Sequence, residues 1–305
     1  MTFFGTRGSC PCAGHRYRLY GGNTSAGLVR PADGPPLILD LGTGLRALGQ
    51  GLAEEMAADG GPLRATVLLT HLHFDHILGL PFFGPLLMQG AELDVYGPRP
   101  GVESLREAVS SLFRPPFFPL ELRKIGGRVT FHEVGDEEFA VGDARIKARR
   151  VPHPGNTLGF RIEADGASMV YLPDHQAPRD LTAIPDGVLE LCDGADLMVH
   201  DAQYTVEEFQ RKWNWGHSTA DFAVRVAAQS HARRLLLFHH DPSRDDRGVA
   251  ELERRSRALG DAGGLVDLAA AQEGALIDVV GEPTVQLIER GPAQNGGGER
   301  SRART

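Results

Sequence analysis

Residues 70–76 read THLHFDH and supply His71, His73, Asp75 and His76 within a single short stretch. Imidazole nitrogen and carboxylate oxygen suit a borderline divalent cation such as zinc. In an extended segment, alternation puts His71 and His73 on one side. Asp75 and His76 then fall in the following turn, where they can face a neighbouring position. The stretch therefore divides into two ligand pairs, one per cation. A polar loop with chance histidines is the weaker reading.

Five apolar runs end in the same way. PLILD stops at Asp40, TVLLTH at His71, MVYLPD at Asp174, LMVHD at Asp201 and LLLFH at His239. These read as buried strands, each with a His or Asp at or just past its carboxyl end. In α/β sheets, ligands and catalytic groups gather on loops at such ends. Five in one chain point to a shared site.

Elsewhere, short β-branched or Leu-rich runs alternate with helical patterns, the signature of a layered α/β fold. Strands are expected near 26–30, 37–40, 66–70, 93–96, 129–133, 145–151, 158–163, 168–172, 196–200, 234–238, 264–267 and 276–280, and helices over 44–57, 102–112, 218–230 and 246–259. Ser218 is expected to cap the third helix, with Asp221 three residues on. Residues 291–305, Gly-rich and polar, read as a disordered tail, leaving 1–290 as one domain.

The chain has 305 residues, 41% hydrophobic, enough to bury a sizeable core. It shows no run of about 20 apolar residues that would span a membrane and no signal-peptide pattern at its start, so a cytoplasmic location is expected. Cys10, Cys12 and Cys192 do not make a disulfide framework. Cys10 and Cys12, with His15 nearby, could hold an extra metal, although two ordinary thiols in a turn is the favoured reading. The net charge is −8. An acidic body argues against a broad phosphate-tracking surface and hence against extended nucleic-acid binding. A small phosphorylated substrate stays open, because bound cations reverse the local sign.

THLHFDH resembles the H-x-H-x-D-H signature of the metallo-β-lactamase superfamily. The resemblance extends through GGNTS at 21–25, ILDLGTG at 38–44, VPHPGNTLGFRI at 151–162, VYLPDH at 170–175 and LLLFHH at 235–240. It implies a four-layer αββα sandwich with the site at one edge. It also implies two divalent metal ions: Zn2+ first, with Mn2+ or Fe2+ as alternatives. His71, His73 and His153 would hold one and Asp75, His76 and His239 the other, with Asp174 bridging. Asp40 would support the ligand loop. His239 is preferred over its neighbour His240, because it directly follows LLLF.

Two dications about 3.5–4 Å apart share a water and bring its ionisation near neutral pH. The hydroxide so formed attacks phosphorus or a carbonyl carbon, and Asp75 orients it. HDAQ at 200–203 and GHST at 216–219 are similar to segments of the RNase Z branch and its phosphodiesterase relatives. There, an acidic residue orients a histidine that serves the leaving group, implying Asp201 and His217 here. The segment departs from that pattern, with Asp201 for Glu and Gln203 for Thr. Trp213 and Trp215, just before His217, could wall the pocket and stack on a base or ring, or be plain core or interface residues. The aromatic stretch FRPPFF at 113–118 reads as a lid, a subunit contact or a packed loop.

The expected function is a phosphodiesterase acting on a small or cyclic phosphodiester. The alternatives are a lactone or thioester hydrolase, an RNase Z-like 3′ RNA endonuclease, and a metal-binding domain without activity. The expected partner is a small phosphodiester or ester, with no membrane involved; a homodimer is left open.

Overall fold

Successive side chains of a strand point to opposite faces, and here both faces are sealed. Met169 and Tyr171 enter one apolar cluster while Val170 and Leu172 enter another; Leu236 and Phe238 separate from Leu235 and Leu237 in the same way. Strands buried on both sides read as unbroken apolar runs, which is why these stood out in the sequence.

The computed structural model describes residues 1–262, 265, 267–279 and 285–287. The expected tail at 291–305, and with it the domain boundary at 290, lies outside the described residues. In chain order the elements are β1 (Thr2–Gly5), β2 (Ala26–Val29), β3 (Leu37–Leu39), α1 (Leu45–Asp59), β4 (Arg64–Leu68), α2 (Phe74–Ile77), β5 (Glu92–Gly97), α3 (Leu105–Ser110), β6 (Arg128–Glu133), β7 (Glu137–Val141) and β8 (Ala144–Arg150). They continue with β9 (Leu158–Ala164), β10 (Ala167–Leu172), α4 (Asp186–Cys192), β11 (Leu197–Asp201), α5 (Val206–Lys212), α6 (Ala220–Gln229), β12 (Arg234–Phe238), α7 (Asp246–Ala262), β13 (Asp267–Ala270), β14 (Ala275–Ile277) and β15 (Val285–Leu287).

One sheet runs in the order β15-β14-β1-β2-β3-β4-β5-β6 and the other β13-β12-β11-β10-β9-β8-β7. Their facing surfaces enclose a cluster containing Phe3, Leu39, Leu68, Phe160, Tyr171 and Phe238. Leu45, Leu48 and Leu52 of α1 pack with Ile38, Val67 and Val95 on the outer face of the first sheet. Phe209 of α5, Phe222 and Val226 of α6, and Val249 and Leu252 of α7 cover the outer face of the second. The result is the expected αββα sandwich. Among the described residues, no helix is long and apolar enough to cross a membrane.

Three local differences have physical causes. The helix expected from Ser218 is capped by Thr219, whose hydroxyl accepts from the Phe222 N–H at 3.0 Å, while the Ser218 hydroxyl instead donates to the His175 carbonyl. β1 and β7 were not among the expected strands; β7, EEFAV, exposes most of its side chains and so lacks an apolar run. Asp75 and His76 sit on one turn of helix, α2, rather than in a loop.

Register places the site. β3, β4, β5 and β6 are mutually parallel, as are β10, β11, β12 and β13. Leu39 pairs with Leu68, Leu172 with His200, and Asp201 with Phe238. The residues that follow these pairs therefore emerge along one edge of the sandwich.

Candidate metal centre

The edge gathers every residue of the expected ligand set. His71, His73 and His153 bring nitrogens within 4.8 Å of one another; so do the ligand atoms of Asp75, His76 and His239, and those of His71, His76 and Asp174. A fourth group joins Asp174 to Asp201, His217 and His239. Asp174 thus touches both clusters: its Oδ1 lies 3.9 Å from His71 Nε2 and 3.8 Å from His153 Nε2, and its Oδ2 lies 2.9 Å from His76 Nε2 and 3.3 Å from His239 Nε2.

Four of the five imidazoles, all but His73, are aimed by a contact at the other nitrogen. His153 Nδ1–H donates to the Gly216 carbonyl at 2.7 Å, which leaves a lone pair on Nε2. That atom faces His73 Nδ1 at 3.1 Å. His76 Nδ1–H donates to Asp40 Oδ2 at 2.8 Å. Asp40 in turn accepts from the Thr70 N–H and hydroxyl and from the Tyr171 hydroxyl, so it supports the loop and stays behind the ligands. His71 Nδ1 sits 3.1 Å from the Thr70 hydroxyl. His239 Nδ1–H donates to Gln203 Oε1 at 2.7 Å, turning Nε2 towards Asp75 Oδ2 at 3.1 Å. Outer partners of this kind fix ring orientation and tautomer.

The sequence had marked Gln203 only as a departure from a pattern; a neutral amide carries no ligand signature. Two further supports were equally silent. The Ser9 N–H donates to Asp75 Oδ2 at 2.7 Å, and Gly8 passes so close beneath His239 that a Cβ there would enter the imidazole ring. His240 faces away, donating from Nε2 to the Ala271 carbonyl at 2.9 Å. Asp40 and His239 both have left-handed backbones, with φ of 57° and 59°. That conformation is uncommon for non-glycine residues and gathers at functional sites.

The fit to metal rests on buried ligand atoms short of partners. His71 Nε2 makes no hydrogen bond, and His76 Nε2 and Asp174 Oδ2, 2.9 Å apart, make no well-aligned one. Buried polar atoms are nearly always satisfied, and cations among these groups would complete them. The donor set, imidazole and carboxylate, is that of zinc-type divalent ions.

Charge divides the centre. Burial pushes His71 down, helped by the neighbouring His76 charge, and lowers His153 to about 4 despite Asp174. For His239, burial opposes the charged form, but Asp174 and Asp75 more than offset it and raise the imidazole to about 9. His76 goes up in the same way, against burial, through Asp174, Asp75 and Asp40. Asp75 and Asp174 are held below the usual carboxylate range despite burial, Asp75 chiefly by His76 and Asp174 chiefly by His239.

Beside the centre, His217 Nδ1–H donates to Asp201 Oδ2 at 3.0 Å. Its ring stacks on His239 with centroids 4.8 Å apart. The Asp201 carboxylate is itself fixed by the N–H groups of His175 and Gln203. His217 Nε2 makes no hydrogen bond among the described residues.

Other expectations fall outside the centre. No metal-capable group among the described residues includes Cys10, Cys12 or His15; the Cys12 thiol donates to the Pro242 carbonyl at 3.4 Å. In the FRPPFF stretch Phe113 is buried and packs on Phe118, which meets Phe82. It is an anchored loop against the outer helical layer.

Sandwich and cluster together define a metal-dependent hydrolase class, and the beta-lactamase superfamily domain matches residues 38–240. The chain belongs to the beta-lactamase superfamily. A Mycobacterium leprae protein, "Uncharacterized protein ML1173", is 35% identical over 236 residues, 72% of each chain. Ribonuclease Z of Bacillus thuringiensis is 27% identical over 239 residues, covering 63% of this chain and 76% of that one. The solved structure of a diphosphatase from the PhnP family superposes with a TM-score of 0.62 at 20% identity, covering 93% of this chain and 98% of the other.

Proposed function

We propose that this chain is a metal-dependent phosphodiesterase that cleaves a small or cyclic phosphodiester. The observation that carries the reading is the Asp201–His217 pair beside the ligand cluster. An alkoxide leaving a phosphodiester needs a proton, and an imidazole oriented by a carboxylate supplies one. With Nδ1–H bound to Asp201, a protonated His217 presents its second proton at Nε2, which makes no hydrogen bond among the described residues.

His71, His73 and His153 would hold one divalent ion, and Asp75, His76 and His239 another, with Asp174 reaching both. Zn2+ is the first choice for this donor set. Such ions supply an ionised water near neutral pH and neutralise charge on phosphoryl oxygens. The protein's own part is orientation. Ser9 fixes the Asp75 carboxylate, Gln203 fixes His239, and Asp201 fixes His217. The names of two relatives, a ribonuclease and a diphosphatase, both denote cleavage at phosphorus and favour this chemistry over ester or lactone hydrolysis. The net charge of −8 favours a small substrate over a nucleic-acid strand.

Replacing His217 with Ala tests the reading. Turnover of a dialkyl or cyclic phosphodiester should fall by about 10²–10⁴-fold, whereas a substrate releasing nitrophenolate should lose little. Equal losses on the two substrates, or activity of the wild-type protein confined to lactones, would overturn the assignment.

A further inference from the structure

The chain has two tryptophans, Trp213 and Trp215, and both stand close to His217. They are 39% and 60% exposed. Tryptophan, with an apolar ring and a polar N–H, is enriched at binding surfaces. Their segment is pressed against the ligand cluster. The Gly216 carbonyl accepts from His153, and a Cβ on Gly216 would lie 2.8 Å from His153 Cε1. Phe74, which follows His73 at the start of α2, is 70% exposed. Exposed rings thus adjoin the ligand histidines in two segments of the chain.

Cations accompany the rings. The Arg179 guanidinium lies 5.3 Å from the Trp213 ring centroid, and the Lys212 ammonium 5.4 Å from that of Trp215. Lys212 is also paired with Asp241. Arg179 has no ion pair or hydrogen bond among the described residues. Its loop is tied to the site at two points: the Ala177 N–H donates to the His217 carbonyl at 3.3 Å, and the Gln176 N–H to the Pro152 carbonyl at 2.6 Å. In an acidic protein, an uncommitted guanidinium beside a metal-binding edge is placed for an anionic ligand.

We propose that Trp213, Trp215 and Phe74 form a stacking platform for a nucleobase and that Arg179 meets an anionic phosphate oxygen of the same ligand. The substrate is then a nucleotide phosphodiester of mononucleotide size, an inference that rests on the phosphodiesterase reading. Aromatic rings stack any base through its π face; an aliphatic ester would leave the cation without a purpose. A longer strand would need a basic track, which a net charge of −8 disfavours.

Because these are the chain's two tryptophans, intrinsic tryptophan fluorescence reports on the platform directly and needs no turnover. Adenosine monophosphate should quench the emission of the zinc-loaded protein saturably, whereas ribose phosphate at the same concentration should not. Trp215→Ala, with Trp213 left as reporter, should weaken adenosine monophosphate binding by roughly 5- to 100-fold. Arg179→Gln should weaken adenosine monophosphate but leave adenosine within about twofold, and should reduce the salt dependence of binding. Equal responses to adenosine monophosphate and ribose phosphate would sink the proposal, as would wild-type affinity in Trp213→Ala, Trp215→Ala and Phe74→Ala alike. If the wild-type protein cleaves bis-nitrophenyl phosphate but fails the fluorescence test, the platform alone is lost. Quenching without cleavage of any diester supports the platform and overturns the phosphodiesterase reading.

Discussion

His71, His73 and His153 are three imidazoles whose protonation burial suppresses. In Asp75, His76 and His239, on the other side, three carboxylates, Asp174, Asp75 and Asp40, favour the charged form of two imidazoles. The same residue types thus make one cluster neutral and ready for a cation, and another that a proton already occupies. The difference comes from where the carboxylates sit: Asp40 and Asp75 face the second cluster, and Asp174 approaches it more closely than the first. Metal binding should therefore be nearly proton-neutral at the first cluster and proton-releasing at the second.

The largest effect should come from the residue the clusters share. Asp174→Asn should remove metal from both and cut hydrolysis by well over the roughly 10–100-fold that outer-shell changes cost. His153→Ala should empty only the first cluster, leaving about half the metal in elemental analysis. If the two variants lose metal equally, the clusters are not separable.

A second test uses pH on the metal-free protein. His153, lowered to about 4, takes no proton in the fold until well below the ordinary histidine value of about 6.5. Between those values the unfolded chain binds more protons, so stability rises with pH; His71 and the buried His175, His200 and His240 act in the same direction. His239, raised to about 9, has the opposite sign: its contribution is complete below about 6.5 and is lost as pH rises through 9. Thermal melts should peak near neutral pH, and zinc should abolish the alkaline decline. Calorimetry in buffers of different ionisation enthalpy should show proton release on zinc binding, and its absence would contradict a charged second cluster.

The smallest effect should follow Gln203→Leu. His239 loses its Nδ1 acceptor, and affinity for one ion should fall by about 10–100-fold, with the other ion retained. Titration of zinc against a competing chelator separates the two. Equal weakening of both sites would show that Asp174 couples them more tightly than their separate hydrogen bonds suggest.

Much of this centre was legible before any coordinates. Asp40, His71, Asp174, Asp201 and His239 each close a run of apolar residues, because strands sealed on both faces leave a plain trace and their parallel register brings the ends to one edge. The supports left no trace. The Ser9 N–H is backbone, Gln203 is an uncharged amide, and Gly8 acts by lacking a side chain. Helices α4 and α5, each of seven residues, were not among the expected helices. Thr219 outcompeted Ser218 as a cap because the Ser218 hydroxyl was already bound to His175.

The Gly8–Ser9 segment lies against His239 and Asp75, so parts of the site come from opposite ends of the sequence. A polypeptide emerging from the ribosome carries THLHFDH long before it can present His239. A metal that needs all of these ligands would be captured tightly only once β12 has docked and the N-terminal segment has settled over it.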